Sequence, residues 1–222
     1  MREIVLVGTR PSKEVQSLIV SKICFESIAP NSLEGRDSLI FTSRYAIGAL
    51  AQCAQESPEL AHWVELPSYV IGGGSAKELQ KYGANIAFIG SDAHGANFAN
   101  DLIGLLAGKH PLYFRAQHIV SKINERLLEA QIDLKECVAY VNEPLKLDSS
   151  LKPKSSSILI FTAPSAFEAF KQNFGWDPHY VAVAIGMTTF GAFDPDVVAF
   201  VSPVQSIDGC IELAKDLAQK MP

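Results

Sequence analysis

Residues 39–46 read Leu-Ile-Phe-Thr-Ser-Arg-Tyr-Ala, and residues 159–166 read Leu-Ile-Phe-Thr-Ala-Pro-Ser-Ala. In each copy an apolar run leads through a polar turn into an Ala-rich amphipathic stretch, the pattern of a strand followed by a helix. A second shared phrase follows each copy, Ile-Gly-Gly-Gly-Ser at 71–75 and Ile-Gly-Met-Thr-Thr at 185–189. A repeat separated by more than a hundred residues is too long-range for a solenoid. It predicts two similar α/β lobes, whose strand ends and helix N-termini form an anion-holding cleft between them.

The composition is that of an ordinary globular protein. The chain has 222 residues, of which 48% are hydrophobic and 19% charged, far from the composition of disordered sequences. The formal net charge of −5 argues against a nucleic-acid surface, which is normally basic. It still permits a small anionic ligand, because local N–H groups and a few arginines can outweigh a weak overall charge. We therefore expect no nucleic-acid partner.

The cysteines and the N-terminus indicate a cytoplasmic protein. Single, scattered cysteines at positions 24, 53, 137 and 210 are typical of free thiols in a cytosolic chain. The five histidines form no ligand motif, so we predict no metal. The chain begins at once with a short strand, and no apolar stretch approaches the roughly 18 residues of a membrane span. We expect a monomer without a membrane partner.

Strand and helix patterns alternate along most of the chain. The strands are apolar runs without clean alternation, which is typical of a parallel sheet covered by helices on both faces. The predicted strands span 4–8, 23–28, 38–41, 68–71, 85–89, 111–114, 136–141, 158–161, 180–185 and 197–200. The predicted helices span 11–20, 45–55, 75–82, 95–107, 119–130, 165–172, 188–193 and 205–220.

Two irregular stretches are predicted to cross between the lobes. The first is the breaker-rich connection 30–37, and the second is the Lys-, Ser- and Pro-rich segment 143–157. The part of the chain after the second crossing has only three predicted strands, and the two N-terminal strands would complete its sheet at five. We therefore expect a discontinuous lobe, 1–33 plus 145–222, and an inserted lobe, 36–142.

Small hydroxyl residues follow the strands of both repeats. Thr42 and Ser43 follow the first copy, and Thr162, with Ser165 nearby, follows the second. In open α/β sheets ligands bind at this edge. The alternative is that the hydroxyls only cap helices, since Ser and Thr are preferred N-caps. For each residue taken alone, helix capping is the better explanation. Because both copies of the repeat have the same arrangement, the advantage of capping over ligand binding becomes smaller.

The glycines of the second shared phrase are a further candidate for ligand binding. Gly72-Gly73-Gly74-Ser75 lacks both the Gly-Lys-Ser/Thr ending of a P-loop and the spacing of a dinucleotide fingerprint. The other copy keeps one glycine before Thr188 and Thr189. Both copies retain a small residue and a hydroxyl at a helix start, which suits carboxylates held by N–H and O–H donors.

Two arginines and one tyrosine also lie at predicted strand ends. Arg10 and Arg115 follow strands of different lobes, and a guanidinium binds a carboxylate as a planar fork. A solvated surface arginine is the equal alternative for each. Tyr140 ends a strand beside the second crossing, where a phenol could donate a proton to a leaving hydroxyl. A packed structural ring is the commoner role for such a tyrosine.

Seven motifs follow one another along the chain. They are Val7-Gly8-Thr9-Arg10-Pro11, Phe41-Thr42-Ser43, Val70-Ile71-Gly72 with Ser75, Phe114-Arg115, Tyr140, Phe161-Thr162, and Ile185-Gly186-Met187-Thr188-Thr189. This ordered set resembles the uroporphyrinogen-III synthase family over almost the whole chain.

Three departures from the family pattern stand out. Ala163 replaces a frequent Ser, and Ala116-Gln117-His118 follows Arg115 where the family usually has a Gly-rich turn and a further basic residue. Val141-Asn142 follows Tyr140, where a later Thr is usual.

The resemblance implies a fold and an activity. The fold is flavodoxin-like α/β in two lobes, joined by a two-stranded linker, with the active site in the cleft. The substrate is hydroxymethylbilane, a linear tetrapyrrole bearing eight carboxylates. The enzyme, a hydro-lyase, closes it to uroporphyrinogen III with loss of water and inversion of ring D through a spiro intermediate, without cofactor or metal. A transient contact with porphobilinogen deaminase is also predicted.

The resemblance also assigns roles to residues. Tyr140 is the candidate for assisting loss of the hydroxyl. The bilane also closes without an enzyme, to the wrong isomer, so the protein mainly has to position its substrate. This explains why no sharp catalytic cluster is visible in the sequence. The candidate carboxylate binders are Thr9, Arg10, Ser43, Ser75, Arg115, Thr162, Thr188 and Thr189.

Two other functions stay open at this point. A non-catalytic sensor or carrier could use two hinged lobes to close around a small anion. A nucleotide-using α/β enzyme is disfavoured, because no Lys follows the glycines and no acidic residue stands at the expected ribose position.

Overall fold

Two mainly parallel β-sheets organise the computed structural model, which describes residues 2–90, 95–119 and 121–221. Each sheet belongs to one compact unit of the chain. The discontinuous unit consists of Met1–Lys22 and Asn142–Pro222, and the inserted unit of Ile23–Val141.

Strands and helices alternate along the chain. The strands are β1 (Ile4–Gly8), β2 (Gln16–Ile19), β3 (Ser21–Phe25), β4 (Ser38–Phe41), β5 (Ser68–Ile71), β6 (Ile86–Gly90), β7 (Pro111–Ala116), β8 (Lys135–Pro144), β9 (Ile158–Phe161), β10 (Val181–Ala184) and β11 (Ala199–Val201). The helices are α1 (Arg44–Glu56), α2 (Gly72–Lys81), α3 (Gly95–Leu105), α4 (Ile123–Glu129), α5 (Pro164–Phe174), α6 (Met187–Phe190) and α7 (Ile207–Lys220).

The discontinuous unit has a five-stranded sheet with the order β11-β10-β9-β1-β2, and all its pairs are parallel. In chain order its strands therefore lie 2-1-3-4-5, which is the flavodoxin order. The order reverses between β1 and β9. Ligands of such sheets bind outside the carboxyl ends of the strands at this switch point.

The inserted unit has a six-stranded sheet with the order β3-β8-β7-β4-β5-β6. The five strands from β4 to β8 are parallel. β4 lies in the middle of these five, with β5 and β6 on one side and β7 and β8 on the other. Numbered from β4 as the first strand, their order across the sheet is 3-2-1-4-5. The direction of winding reverses between β4 and β7. Each unit therefore has one switch point.

The repeated Leu-Ile-Phe phrase fills both faces of each sheet. Leu39 and Phe41 pack in the core under α1 and α2, whereas the intervening Ile40 packs with α3 and α4. In the other copy Leu159 and Phe161 pack with α5, and Ile160 packs with α7. Successive side chains of a strand point to opposite faces, so one phrase serves two helix layers. Burying each such side chain contributes about 1.5–3 kcal/mol.

The chain passes between the units within two neighbouring strands. β3 contains the first crossing and β8 the second, and the two are adjacent at one edge of the six-stranded sheet. Glu26 N–H donates to Ala139 O, and Leu145 N–H donates to Val20 O, which is the pattern of an antiparallel pair. The two-stranded linker that the family resemblance implies is therefore present, but β3 and β8 form it, and not the predicted crossings 30–37 and 143–157.

The predicted helix over 11–20 is wrong, because residues 16–19 form β2 beside β1. Pro11 and Ser12 are helix-start residues, but they are equally favoured in turns. Here the Ser12 hydroxyl accepts from Glu14 N–H (3.1 Å), and Ser12 N–H donates to the Ser17 hydroxyl (2.7 Å). These local bonds hold a short connection without a helix between two parallel strands.

A second correction follows from the first. The strand predicted at 23–28 is β3, which lies in the six-stranded sheet, so β1 and β2 complete the five-stranded sheet. The helix predicted from residue 75 begins earlier, at Gly72. The predicted class, two α/β lobes with parallel sheets flanked by helices, is confirmed.

Candidate functional site

The discontinuous unit brings five predicted site residues to the carboxyl edge of its sheet. Thr9 and Arg10 follow β1, Thr162 follows β9, and Thr188 and Thr189 lie in α6 directly after β10. These three strands are adjacent and parallel, so their carboxyl ends share one edge. Arg10 and Thr188 are exposed, Thr9 and Thr162 are half-buried, and Thr189 is buried.

The switch point of this unit lies between Thr9 and Thr162. A Cβ placed on Gly8 would lie 3.3 Å from Thr162 Oγ1, closer than most Cβ contacts. The absence of a side chain at Gly8 therefore lets the threonine hydroxyl lie against the end of β1. A hydroxyl at a switch point can bind an anionic ligand group.

The inserted unit brings the other four predicted residues to the carboxyl edge of its own sheet. Ser43 follows β4, Ser75 lies in the first turns of α2 after β5, Arg115 lies near the end of β7, and Tyr140 lies in β8. Ser75 is only 7% exposed. A fifth residue, Tyr113 of β7, was not predicted. No local sequence signal distinguishes Tyr113 from an ordinary buried strand residue.

Tyr113 bridges the switch point of the inserted unit. Its side chain is fully buried, and its hydroxyl lies 2.8 Å from Thr42 Oγ1. Burial raises the pKa of Tyr113, while hydrogen bonds to Thr42 and Ser121 act in the opposite direction. The phenol thus links the end of β4 to β7.

Ser43 has two partners at this edge. Its hydroxyl accepts from Tyr45 N–H (3.2 Å) and so caps α1, the role expected of a lone serine. The same hydroxyl lies close enough to the phenol of Tyr140 to lower the pKa of that phenol. Capping and contact with the candidate proton donor therefore occur together. The second copy of the repeat has Ala163 at its N-cap, with no side-chain cap.

A β-bulge directs Tyr140 toward Ser43. Pairing of β7 with β8 shifts between Arg115, opposite Val138, and Ala116, opposite Tyr140, so Ala139 is the extra residue. Ala139 and Tyr140 consequently pack against the same core although they are neighbours in sequence. Bulges commonly redirect a side chain beside an active site.

The Tyr140 phenol is set to stay protonated. Burial is the main cause that raises its pKa, the Ser43 hydroxyl partly opposes this, and nearby Tyr45 adds to the rise. The rings of Tyr45 and Tyr140 pack at 5.6 Å. A neutral phenol at neutral pH can donate a proton but cannot act as a phenolate base.

Arg115 is engaged by neighbouring residues. Its Nε donates to Glu136 Oε2 (2.6 Å), and its Nη1 donates to the carbonyls of Ala116 (2.8 Å) and Gln117 (3.0 Å). Both charged side chains of this ion pair are largely buried. Arg115 therefore holds the segment after β7, and any substrate carboxylate would share its donors with these acceptors.

Two other residues at this edge, Arg44 and Tyr45, were also missed. Both are half-buried, and the Arg44 guanidinium lies over the Tyr45 ring, 5.5 Å from its centroid. The sequence carries one signal for Arg44, because a cation at the first position of a helix opposes the helix dipole.

Neither a metal cluster nor a membrane span is found in the part of the chain that the structure describes. Across residues 2–90, 95–119 and 121–221, no three His, Cys, Asp or Glu side chains form a group that could hold a metal ion. His94 lies outside the described residues. Among the described helices, none has the length and apolar character needed to cross a membrane.

Known proteins resemble this chain in sequence and fold. The family described as "Uroporphyrinogen-III synthase HemD" matches residues 21–212. The crystal structure of uroporphyrinogen-III synthetase from Helicobacter pylori is 34% identical, with 98% of this chain and 100% of that chain covered and a TM-score of 0.83. A mutant uroporphyrinogen III synthase structure from Thermus thermophilus, 15% identical with 99% and 100% covered and a TM-score of 0.66, shares the fold. No curated protein matches the chain.

Proposed function

The chain belongs to the uroporphyrinogen-III synthase family, an enzyme family of haem biosynthesis, and from this we propose that it converts hydroxymethylbilane into uroporphyrinogen III. The observation that carries the proposal beyond family membership is the neutral phenol of Tyr140. It lies in a bulge at the carboxyl edge of the inserted unit, against the Ser43 hydroxyl.

The proposed first step is loss of the terminal hydroxyl. Tyr140 gives its proton to the hydroxyl oxygen, the carbon–oxygen bond breaks, and water leaves. The pyrrole nitrogen supplies the electron pair that forms the azafulvene. Because burial raises the pKa of Tyr140, its phenol is in the donating form throughout the neutral range.

Ring closure follows without further acid. Ring D attacks the azafulvene carbon through its substituted carbon to form the spiro intermediate, and rearrangement inverts the ring. The proton lost from ring D on final closure balances the one that Tyr140 gave up. The net change is loss of one water, so the proposed reaction class is a cyclising hydro-lyase.

The remaining predicted residues position the substrate by its carboxylates. Holding two reacting carbons in one geometry can supply a large share of a rate enhancement. Hydroxyl, guanidinium and backbone N–H donors suit this task, because they bind carboxylates without a metal. Arg115 shares its donors with Glu136. The proposed binders are Thr9, Arg10, Ser43, Ser75, Arg115, Thr162, Thr188 and Thr189.

The test supplies porphobilinogen and a porphobilinogen deaminase to the purified protein. The products are oxidised, and isomers I and III are separated by chromatography. Predominant isomer III is expected, because spontaneous closure yields isomer I. Isomer I alone, from protein shown to be folded by circular dichroism, would refute the activity and favour a non-catalytic anion sensor or carrier.

Three properties of the working protein complete the proposal. It acts in the cytoplasm, it is a monomer, and it contacts porphobilinogen deaminase transiently to receive the unstable bilane. Sedimentation of the protein alone and with the deaminase tests the last two. A stable dimer of the protein would contradict the monomer.

A further inference from the structure

Arg44 occupies a position that local structure does not favour. It is the first residue of α1, where the aligned peptide dipoles place partial positive charge, and the first turn of this helix contains no acidic residue. Its guanidinium adds a full positive charge at that end. A residue that breaks a local rule without a local gain is expected at functional sites.

Arg44 differs from the other arginines of the inserted unit in its contacts. Arg36 contacts Asp133, Arg115 pairs with Glu136, and Arg126 donates to Asn100. The Arg44 guanidinium instead lies on the face of the Tyr45 ring, and no carboxylate within the described ranges lies at ion-pair distance from it. A half-buried guanidinium in this state keeps donors for an anion that the described part of the chain does not supply.

Three consecutive residues connect Arg44 to the candidate proton donor. Tyr45 packs its ring on the Tyr140 ring at 5.6 Å, and Arg44 lies over the Tyr45 ring of that pair. The Ser43 hydroxyl lies near the Tyr140 phenol and lowers its pKa. The cap of Ser43 on Tyr45 N–H holds this segment in place. An anion on Arg44 would therefore lie one aromatic ring away from Tyr140.

We propose that Arg44 binds a carboxylate on the pyrrole that carries the leaving hydroxyl, and so positions that hydroxyl at Tyr140. The inference rests on the proposed function for the identity of the ligand. The planar fork of the guanidinium matches a carboxylate in two parallel hydrogen bonds, while the Tyr45 ring supports its other face. This role makes Arg44 a substrate-binding residue.

The test compares Arg44→Gln and Arg44→Lys with the wild type and with Arg126→Gln, a matched loss of one guanidinium on an exposed helix position of the same unit. Steady-state kinetics use preformed hydroxymethylbilane. Arg44→Gln should raise KM about tenfold or more, the scale of a lost charge-assisted hydrogen bond, with kcat little changed. Arg44→Lys keeps the positive charge but loses the planar guanidinium, so its KM should lie between those of Arg44→Gln and the wild type. The KM of Arg126→Gln should equal that of the wild type.

Thermal unfolding distinguishes a loss of substrate binding in Arg44→Gln from a loss of stability. Arg44→Gln should melt at or slightly above the wild-type temperature, because the substitution removes a cation from a helix N-terminus. A KM within twofold of the wild type would overturn the proposal. A lower melting temperature with unchanged KM would assign Arg44 a structural contact with Tyr45 instead.

A binding measurement tests the role of Arg44 separately from the proposed synthase activity. Uroporphyrin III, which carries the same eight carboxylates as the product, is titrated by fluorescence into the wild type and Arg44→Gln. Weaker binding by the variant is expected. Equal binding would overturn the Arg44 proposal even if the wild type forms isomer III. Absence of isomer III from the wild type would refute the reaction while leaving the carboxylate test intact.

Discussion

Two phenols at one sheet edge allow a paired test of the proposed proton donor. Tyr140 lies in the bulge beside Ser43, and Tyr113 lies fully buried against Thr42. Replacing either tyrosine by Phe removes one hydroxyl and keeps the ring. We expect Tyr140→Phe to reduce the rate and Tyr113→Phe to reduce stability.

The structure sets the size of both effects. A positioned general acid contributes about 100- to 10,000-fold, and about 100-fold corresponds to about 2.7 kcal/mol of transition-state stabilisation. The ring packing of Tyr140 on Tyr45 survives in Tyr140→Phe, so its free energy of unfolding should change by about 1 kcal/mol or less. Tyr113→Phe loses the 2.8 Å hydrogen bond to Thr42, which costs about 1 kcal/mol, and its rate should stay near wild type.

The assay follows loss of preformed hydroxymethylbilane at short times and measures isomer III after oxidation. Spontaneous closure to isomer I provides an internal background. Tyr140→Phe should lower kcat at least about 100-fold at neutral pH. A rate within threefold of wild type, in a variant as stable as wild type, would refute the proton-donor role. An equal loss of rate in Tyr113→Phe would show that the effect comes from disturbing the sheet edge.

Three smaller changes test packing and titration. Ala163→Ser adds the hydroxyl that α5 lacks at an extended N-cap (φ −160°, ψ 153°), and urea unfolding should show a gain of about 1 kcal/mol; no gain would contradict the cap. Gly90→Ala places a Cβ 2.7 Å from Phe98 Cδ2, so a loss of about 1–3 kcal/mol is expected, and unchanged stability would contradict that contact. Burial raises the pKa of Tyr113 and Tyr140 in the folded protein. Their contribution to the free energy of unfolding is therefore fully present below the pKa of the unfolded chain, near 10, and is lost as pH rises through the pKa of the folded protein. Tyr113→Phe should therefore lose less stability than wild type between about pH 8 and about pH 11, and equal losses would refute the titration.

Most elements could be predicted from sequence because their signals are local. The runs that became β1, β5 and β9 were predicted with their observed bounds, since each is a short apolar stretch between polar turns. The failure at 11–20 has the opposite cause. The sequence Gln-Ser-Leu-Ile of β2 has two polar residues and follows Pro11 and Ser12, so it carries little local strand signal, and β2 exists because it pairs with β1.

In the candidate site, too, some features have local sequence signals and others depend on contacts between distant residues. The hydroxyls after the strands of the repeat could be placed at a carboxyl edge from sequence, because parallel strands end at a common edge. The contacts could not be predicted, since they join distant positions. Arg115 meets Glu136 across two strands, and Tyr113 meets Thr42 from residues far apart in the chain.

The sequence by itself determined the two α/β lobes and which kinds of side chain lie at their strand ends, because hydrophobic period and turn chemistry act over a few residues. Only the tertiary structure decided what those side chains can do. Register shifted by one residue at Ala139 turns Tyr140 toward Ser43, and packing of Tyr45 on Tyr140 carries Arg44 to the same place. These outcomes depend on pairing and burial across the whole unit, which no local pattern encodes.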